Sequence, residues 1–457
     1  MAYLVSGRIV RIAPDEVHIL DADFWETLFS RAGRVDKYSW MSNRFGNETS
    51  VLTTAAHDLH RVRRNALNPY FSRQRILGLQ HTIRQKLSIF VSQIREHANA
   101  GMPVTINRGY MAFSEDVIMH YCFGYDYDTL RKPAWTPALH DAFAAVCIAG
   151  NMALQFPIVP KVMNALPQAW VEKLDPLYAL IFRMQNDFGR QIRQMKATLS
   201  STLSPAKGGK DVDDTSLTVI TELLQSNLPN EQKADRRVQD EVQLIVGAGV
   251  STTGWTLSVG TYYLVANPRV LACLCKELDN AIPASNSASV ADLVSNLDWT
   301  ELEKLPYLTA VIKEAVRLSY STTSRNVRLL PKPVQFGEWI IPARTPISMT
   351  VPFINHDEDI FPQSRSFVPE RWLDAPKTAN GSSLDKYFVG FGKGTRSCLG
   401  SNLAWCELYL VFASLFRLFD FALYETDQTD IDFEHDFFLP FPKLDSKGIR
   451  VLVKERH

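Results

Sequence analysis

Along this chain the apolar positions mostly return every three or four residues, the period of helices packed on one face. Residues 76 to about 199 carry that pattern with few glycines. Arg237 to Ala266 sustains it as one long helix until Asn267-Pro268 stops it. Leu403, Ala404, Leu408, Val411, Phe412, Leu415, Phe416 and Phe419 repeat it once more and predict a long buried helix. A further helix is expected to open at His60-Arg61-Val62-Arg63-Arg64 and run on toward Phe71 and Leu77. Period-two alternation is confined to short stretches: Gly7 to Leu20, folded around Pro14-Asp15-Glu16, predicts a hairpin, Trp339-Ile340-Ile341-Pro342 another, and the tail after Asp420 further strands. Ser39 to Thr54 is polar and broken by Gly46, so a loop is expected there, and Ser200 to Asp214 reads as a linker between helices.

Composition changes this picture little. A length of 457 residues alone suggests about three domains, and with 46% hydrophobic and 21% charged residues a large core is available. Lys plus Arg and Asp plus Glu are equal at 49 each, which gives no support to nucleic acid or an anionic membrane as a partner drawn by net charge. The six cysteines are scattered without a disulfide-scaffold pattern, which favours a reducing compartment, and Cys273-x-Cys275 lacks paired metal-ligand spacing. No run reaches the roughly 18 apolar residues of a membrane span, and no signal or transit peptide is legible. The glycosylation patterns at Asn47 and Asn380 are set aside for a cytosolic chain.

One stretch carries chemistry. Phe391-Gly392-Lys393-Gly394-Thr395-Arg396-Ser397-Cys398-Leu399-Gly400 reads as a glycine-built loop delivering Cys398 to a haem iron, because a bound thiolate needs nearby backbone N–H donors and cations. Gly394 makes the bend, Phe391 packs beside the sulfur, Arg396 suits a haem propionate, and Gly400 leaves the next helix free to approach the macrocycle. The bland alternative, a buried free thiol in a strand-to-helix turn, accounts for the cysteine but not its surround.

Phe391-x-x-Gly394-x-Arg396-x-Cys398-x-Gly400 resembles the haem-binding signature of the cytochromes P450, of the fungal secondary-metabolism type. The resemblance, which continues in order from His60 to Gly400, implies a mainly α fold with a small β lobe (α+β). It implies one catalytic domain over residues 1–457, with haem b held between the long oxygen-binding helix and the cysteine-loop helix. His60-x-x-x-Arg64 matches the family's propionate-binding helix, although a solvated basic face is the plain reading of such a stretch; Arg328 matches a second propionate-binding arginine. Arg61 and Arg63 are expected to point elsewhere, toward a redox partner. Ala248-Gly249-Val250-Ser251-Thr252-Thr253 matches the oxygen-binding motif except that Ser251 replaces its acid. Thr252 is then the expected proton donor toward dioxygen, with Ser251 able to relay a proton but not to store one. A close helix crossing would explain the same glycines. Glu314, Arg317 and Arg371 resemble the family's buried Glu-Arg-Arg cluster, a structural element. Ser319 to Ser324 and Phe437 to Phe441 are expected at the substrate cavity, and Phe156 to Pro167 as its roof.

The resemblance implies a monooxygenase that hydroxylates or epoxidises an apolar small molecule, a terpenoid or polyketide intermediate. It would use O2 and electrons from NADPH through a separate NADPH-cytochrome P450 reductase, since no Gly-x-Gly-x-x-Gly nucleotide motif is present. A haem-thiolate isomerase or dehydratase acting on a peroxide is the first alternative, mildly favoured by Ser251, and a non-catalytic haem-binding isoform the second. Family members of this type usually begin with a membrane anchor on the endoplasmic reticulum; this sequence starts near its first strand, so a cytosolic or peripheral monomer is expected.

Overall fold

The computed structural model describes residues 7–31, 33–174, 176–202, 218–282 and 290–456. Its strands are short: β1 (Ile9–Arg11), β2 (Val17–Ile19), β3 (Asp36–Lys37), β4 (Val104–Thr105), β5 (Asn326–Leu329), β6 (Val334–Phe336), β7 (Trp339–Ile341), β8 (Pro346–Met349), β9 (Phe419–Leu423), β10 (His435–Phe437), β11 (Leu439–Phe441) and β12 (Arg450–Glu455). The expected first hairpin pairs Ile9 with Ile19 and Arg11 with Val17. It joins a mixed sheet of order β1-β2-β8-β5-β3, which brings Lys37 opposite Arg328 at the sheet edge. Ile19, Phe24, Trp25, Leu28 and Ile347 form the small core under this sheet.

The helices used below are α1 (His57–Leu67), α2 (Arg73–Ala100), α3 (Ile106–Phe123), α4 (Ala138–Gln155), α5 (Ile158–Ala165), α6 (Asp235–Ala266), α7 (Pro306–Leu318) and α8 (Ser401–Leu418). α3, α6 and α8 are buried almost all round, so their apolar residues are not confined to one stripe. The central glycines of α6 are there for close crossings. A Cβ on Gly247 would lie 2.0 Å from Phe143, on Gly254 2.4 Å from Met111 and on Gly249 3.0 Å from Ile118. Each costs about 1 kcal/mol of helix propensity relative to alanine, which the packing offsets.

Three elements differ from the sequence reading. The helix expected from His60 to Leu77 is two: Pro69 lacks the N–H that a continuing helix needs, a 3-10 turn covers Asn68–Phe71, and Ser72 caps α2 by accepting from Arg75 N. Ser39–Phe45 is a 3-10 helix rather than a plain loop. Phe419 leaves the helical run and opens β9. The expected linker lies outside the described residues apart from its first positions, which end the helix Pro176–Thr202. Among the described residues no helix is long and apolar enough to cross a membrane.

Candidate functional site

The cysteine loop is built by backbone constraint. Gly392 and Gly394 have φ of 65° and 75°, where a side chain is strained, and a Cβ on Gly394 would lie 2.0 Å from the Phe29 carbonyl oxygen. Ser397 N donates to Gly394 O at 3.3 Å and Cys398 N to Phe391 O at 2.8 Å, closing the loop. Cys398 is accessible only in the sense that it lines an internal cavity; protein encloses it closely enough for burial to push its thiol upward, opposed by the Gly400 N–H and the charge of Arg64. Gly400 has an ordinary negative φ, and a Cβ there would meet no protein atom within 4 Å. Neither strain nor protein packing asks for glycine at this position, and the space it leaves belongs to the cavity.

That cavity, of about 340 Å³, lies between α6 and α8 and is otherwise largely apolar. Lys37, His60, Arg64, Arg328 and Arg396 all line it, and among the described residues no Asp or Glu does. Positive charges here repel one another, and His60 is kept neutral. Burial, and then Arg396, Lys37, Arg64 and His57, hold His60 down to about 2; burial and Arg396 bring Arg328 to about 9; burial lowers Arg396 to about 10; and Lys37 is held well below its usual range by burial, Arg328 and Arg396. Arg64 donates to Ser397 O (2.7 Å) and Asn68 Oδ1 (2.7 Å), and Arg396 to Thr54 O (2.6 Å) and Ala55 O (2.7 Å), but the buried Arg396 Nε has no partner. A carboxylate-free cluster of buried cations, with one donor unsatisfied, suits a ligand carrying carboxylates. These residues fit haem: the cation rim would suit its two propionates, and Cys398 lines the same cavity.

Sequence reasoning missed Lys37, which sits on a two-residue strand with no periodic signal. It also misplaced Arg63. That residue is buried, donating to Gln232 Oε1 (2.8 Å) and Thr54 Oγ1 (2.6 Å), so it presents no charge to a partner, whereas Arg61 is exposed.

On the α6 wall, Ala248, Gly249 and Thr252 line the cavity. Thr252 Oγ1 donates to Ala248 O at 2.8 Å. Ser251, 2% exposed, faces away: its hydroxyl lies 3.2 Å from Nδ1 of His140 on α4, a ring that burial brings to about 4 and hence keeps neutral. Ser321, Thr322, Phe438 and Leu439 line the cavity as expected; among the described residues none of Phe156 to Pro167 does. Behind the cysteine loop, Glu314 accepts from Arg317 (2.7 and 2.9 Å), Arg371 (3.1 Å), Trp372 Nε1 (2.8 Å) and Val368 N (3.0 Å), all in a buried knot in which the two arginines hold the carboxyl below its usual range against desolvation.

A thiol on a glycine-built loop, facing a cavity ringed by cations on one side, defines the class of haem-thiolate proteins. The chain belongs to one family of that class. The family model described as Cytochrome P450 matches residues 15–447, and members carry haem with an axial cysteine thiolate and incorporate oxygen from O2. The cytochrome P450 monooxygenase sdnE of Sordaria araneosa is 40% identical over 98% of this chain and 86% of its own length. The cytochrome P450 monooxygenase tpcC of Cochliobolus heterostrophus is 36% identical and the tryptophan 6-hydroxylase fscE of Fusarium equiseti 37%, each over 98% of this chain and 85% of the relative. The chain is thus a cytochrome P450 monooxygenase of the kind found in fungal secondary metabolism.

Proposed function

We propose that Cys398 ligates the haem iron, that His60, Arg64, Arg328 and Arg396, joined by Lys37, hold the propionates, and that the chain works as one catalytic domain and a monomer. Its substrate is an apolar small molecule, a terpenoid or polyketide intermediate, which it hydroxylates or epoxidises; relatives named as hydroxylases of tryptophan and N-acetyltryptophan add an aromatic amino acid to the substrate classes. Electrons come from NADPH through a separate flavoprotein reductase. The observation that carries this reading is the carboxylate-free cation rim facing the same cavity as Cys398.

Bound haem supplies the activation of dioxygen, with thiolate donation favouring O–O cleavage. The chain's own residues do the rest. The Gly400 N–H and Arg64 stabilise the sulfur's negative charge. Phe391 packs against Trp405 of α8, rings 5.6 Å apart, and fixes the loop's approach. Thr252 turns its hydroxyl from Ala248 O into the cavity to pass a proton. Phe45, Phe143, Leu244 and Phe438 exclude water and orient an apolar substrate. Outside the cavity, Phe156, Ile158, Val159 and Val162 are exposed on and beside α5, the surface suited to peripheral contact with the cytosolic face of a membrane.

Reconstitution with a reductase tests the reading: O2 and NADPH consumed together with product, and loss of the thiolate-type reduced-carbonyl spectrum in Cys398→Ser. Turnover of a peroxide without O2 or NADPH would establish the isomerase alternative instead.

A further inference from the structure

The cavity has a second cationic feature, outside the proposed propionate rim. Arg44, 6% exposed, lines it. Its stem crosses α4 at Gly150, where a Cβ would come within 2.7 Å of Arg44 Cγ, so α4 gives up a side chain to let the arginine through. Nη1 donates to Asn151 Oδ1 at 2.7 Å, a neutral partner, and the buried Nε has none. Among the described residues no carboxylate forms an ion pair with it. Asp436 is the acid nearest in effect, but its Oδ1 is taken by Thr323 Oγ1, Ser324 Oγ (both 2.8 Å) and Phe438 N (2.9 Å).

Arg44 is electrically apart from the propionate rim. The charges it responds to are Asp436, Cys147 and Arg325, whereas Lys37 and His60 respond to Arg328, Arg396 and Arg64. One ring adjoins it and leads on to two more. Phe438 lies with its centroid 5.8 Å from the guanidinium and meets Phe45 edge-on at 4.8 Å; Phe45 stacks on Phe143 at 6.4 Å. Phe143 packs against Gly247 of α6, five residues before Thr252, about 7.5 Å along the helix axis. A buried cation without an anionic partner is costly, and a small molecule in the same cavity can supply the anion.

We infer that the substrate carries a carboxylate, which Arg44 binds while the rest of the molecule lies against Phe45, Phe143 and Phe438 with its far end toward Thr252. This rests on the haem-thiolate reading above and narrows its substrate to an organic acid with an apolar body. Arg44 sets specificity: the neutral amide of the same body leaves the guanidinium unpaired.

The test is titration of the ferric protein, followed by the spectral shift on ligand binding, with three matched pairs: indole-3-propionic acid, 3-phenylpropionic acid and a diterpene acid, each against its primary amide. At least one acid is expected to bind about tenfold or more tightly than its amide. Arg44→Gln should abolish that preference, leaving amide affinity within about twofold, and Arg44→Lys should keep part of it. If Arg44→Gln fails to hold haem, Arg44→Met, which preserves the stem across Gly150, takes its place. Equal binding of acid and amide in every pair, no shift with any acid, or a preference that survives the loss of Arg44 overturns the inference. The reduced-carbonyl spectrum is recorded in parallel: its absence in the wild type sinks the haem-thiolate reading, and its presence with equal binding sinks only the carboxylate.

Discussion

Arg64 Nη1 donates to the carbonyl oxygen of Ser397 at 2.7 Å, so α1 is bonded directly to the residue before the cysteine. The same guanidinium opposes the upward push of burial on the thiol. Arg64 is therefore a brace for the loop as well as part of the cation rim.

Arg64→Ala is expected to lower haem retention and to shift or broaden the thiolate-type reduced-carbonyl band, because both the brace and the charge are lost. Arg64→Lys should fall between, keeping a charge without the fork that reaches both Ser397 O and Asn68. Haem occupancy and band position are the readouts, and wild-type values in Arg64→Ala would refute the role.

Single changes of His60, Lys37, Arg328 or Arg396 to Ala should each weaken haem binding, with Arg396→Ala the worst. Arg396 also holds Thr54 O and Ala55 O, while its free Nε is the donor most in need of a ligand. Competition for haem against apomyoglobin ranks the variants. Unchanged affinity in all four would remove the propionates from this rim.

Glu314→Ala strands two arginines and the Trp372 indole in a site that is almost wholly buried, and breaking such a cluster costs about 3–5 kcal/mol. Little or no haem-replete protein is expected at ordinary expression temperature. Arg371→Ala should do the same more mildly, since Arg317 still pairs with the carboxylate. Normal yield and melting temperature in Glu314→Ala would contradict this.

How much of this was legible in the chain depends on how local each constraint is. The cysteine loop was readable because Gly392 and Gly394 answer to backbone strain, and Gly394 also to one carbonyl, Phe29 O. Glu314 and Arg317, three apart on one helix, share a face by period alone. The break before Ser72 was also present in the sequence, in Pro69, and the apolar period ran over it. Lys37, Arg44 and Arg63 were not legible. A two-residue strand has no period, Arg44 owes its position to Gly150, and Arg63 is buried by partners that include Gln232, 169 positions away. The direction of Ser251 depends on where α4 crosses α6, which no local pattern encodes.

His18 and His356 titrate against folding. Burial, more than any charge, holds each near 4, with Arg325 reinforcing it at His18 and Arg365 at His356, while an unfolded histidine titrates near 6.5. Both are neutral and cost nothing above about pH 6.5. As pH falls from there toward 4 the unfolded chain takes up protons that the folded one refuses, so stability is lost, by up to about 1.4 kcal/mol per pH unit for a fully buried histidine and less for the partly exposed His356. Melting temperature should therefore drop between pH 7 and pH 5, and His18→Gln, which can still bond Thr350 Oγ1, should flatten the drop. An equally steep profile in His18→Gln would exclude His18 as a contributor.

Neighbouring positions on a helix point about 100° apart, and on α6 this separates two residues that the motif would have work together. Thr252 faces the cavity; Ser251 faces His140. Thr252→Ala should leave reduction intact while product falls and hydrogen peroxide rises, because the cavity loses the hydroxyl of Thr252. Thr252→Ser should restore most of the coupling. Ser251→Asp tests whether the missing acid matters. A carboxylate there would meet His140 first, raise that ring's pKa and pair with it, so coupling should stay unchanged rather than improve. Adding His140→Ala removes the competing partner, and only in that double variant should an acid at 251 be free to improve coupling. Product, NADPH and hydrogen peroxide measured together decide it. If Ser251→Asp alone raises coupling, the carboxylate reaches the cavity despite His140; if Thr252→Ala couples like the wild type, the threonine hydroxyl serves only its own helix, bonded to Ala248 O.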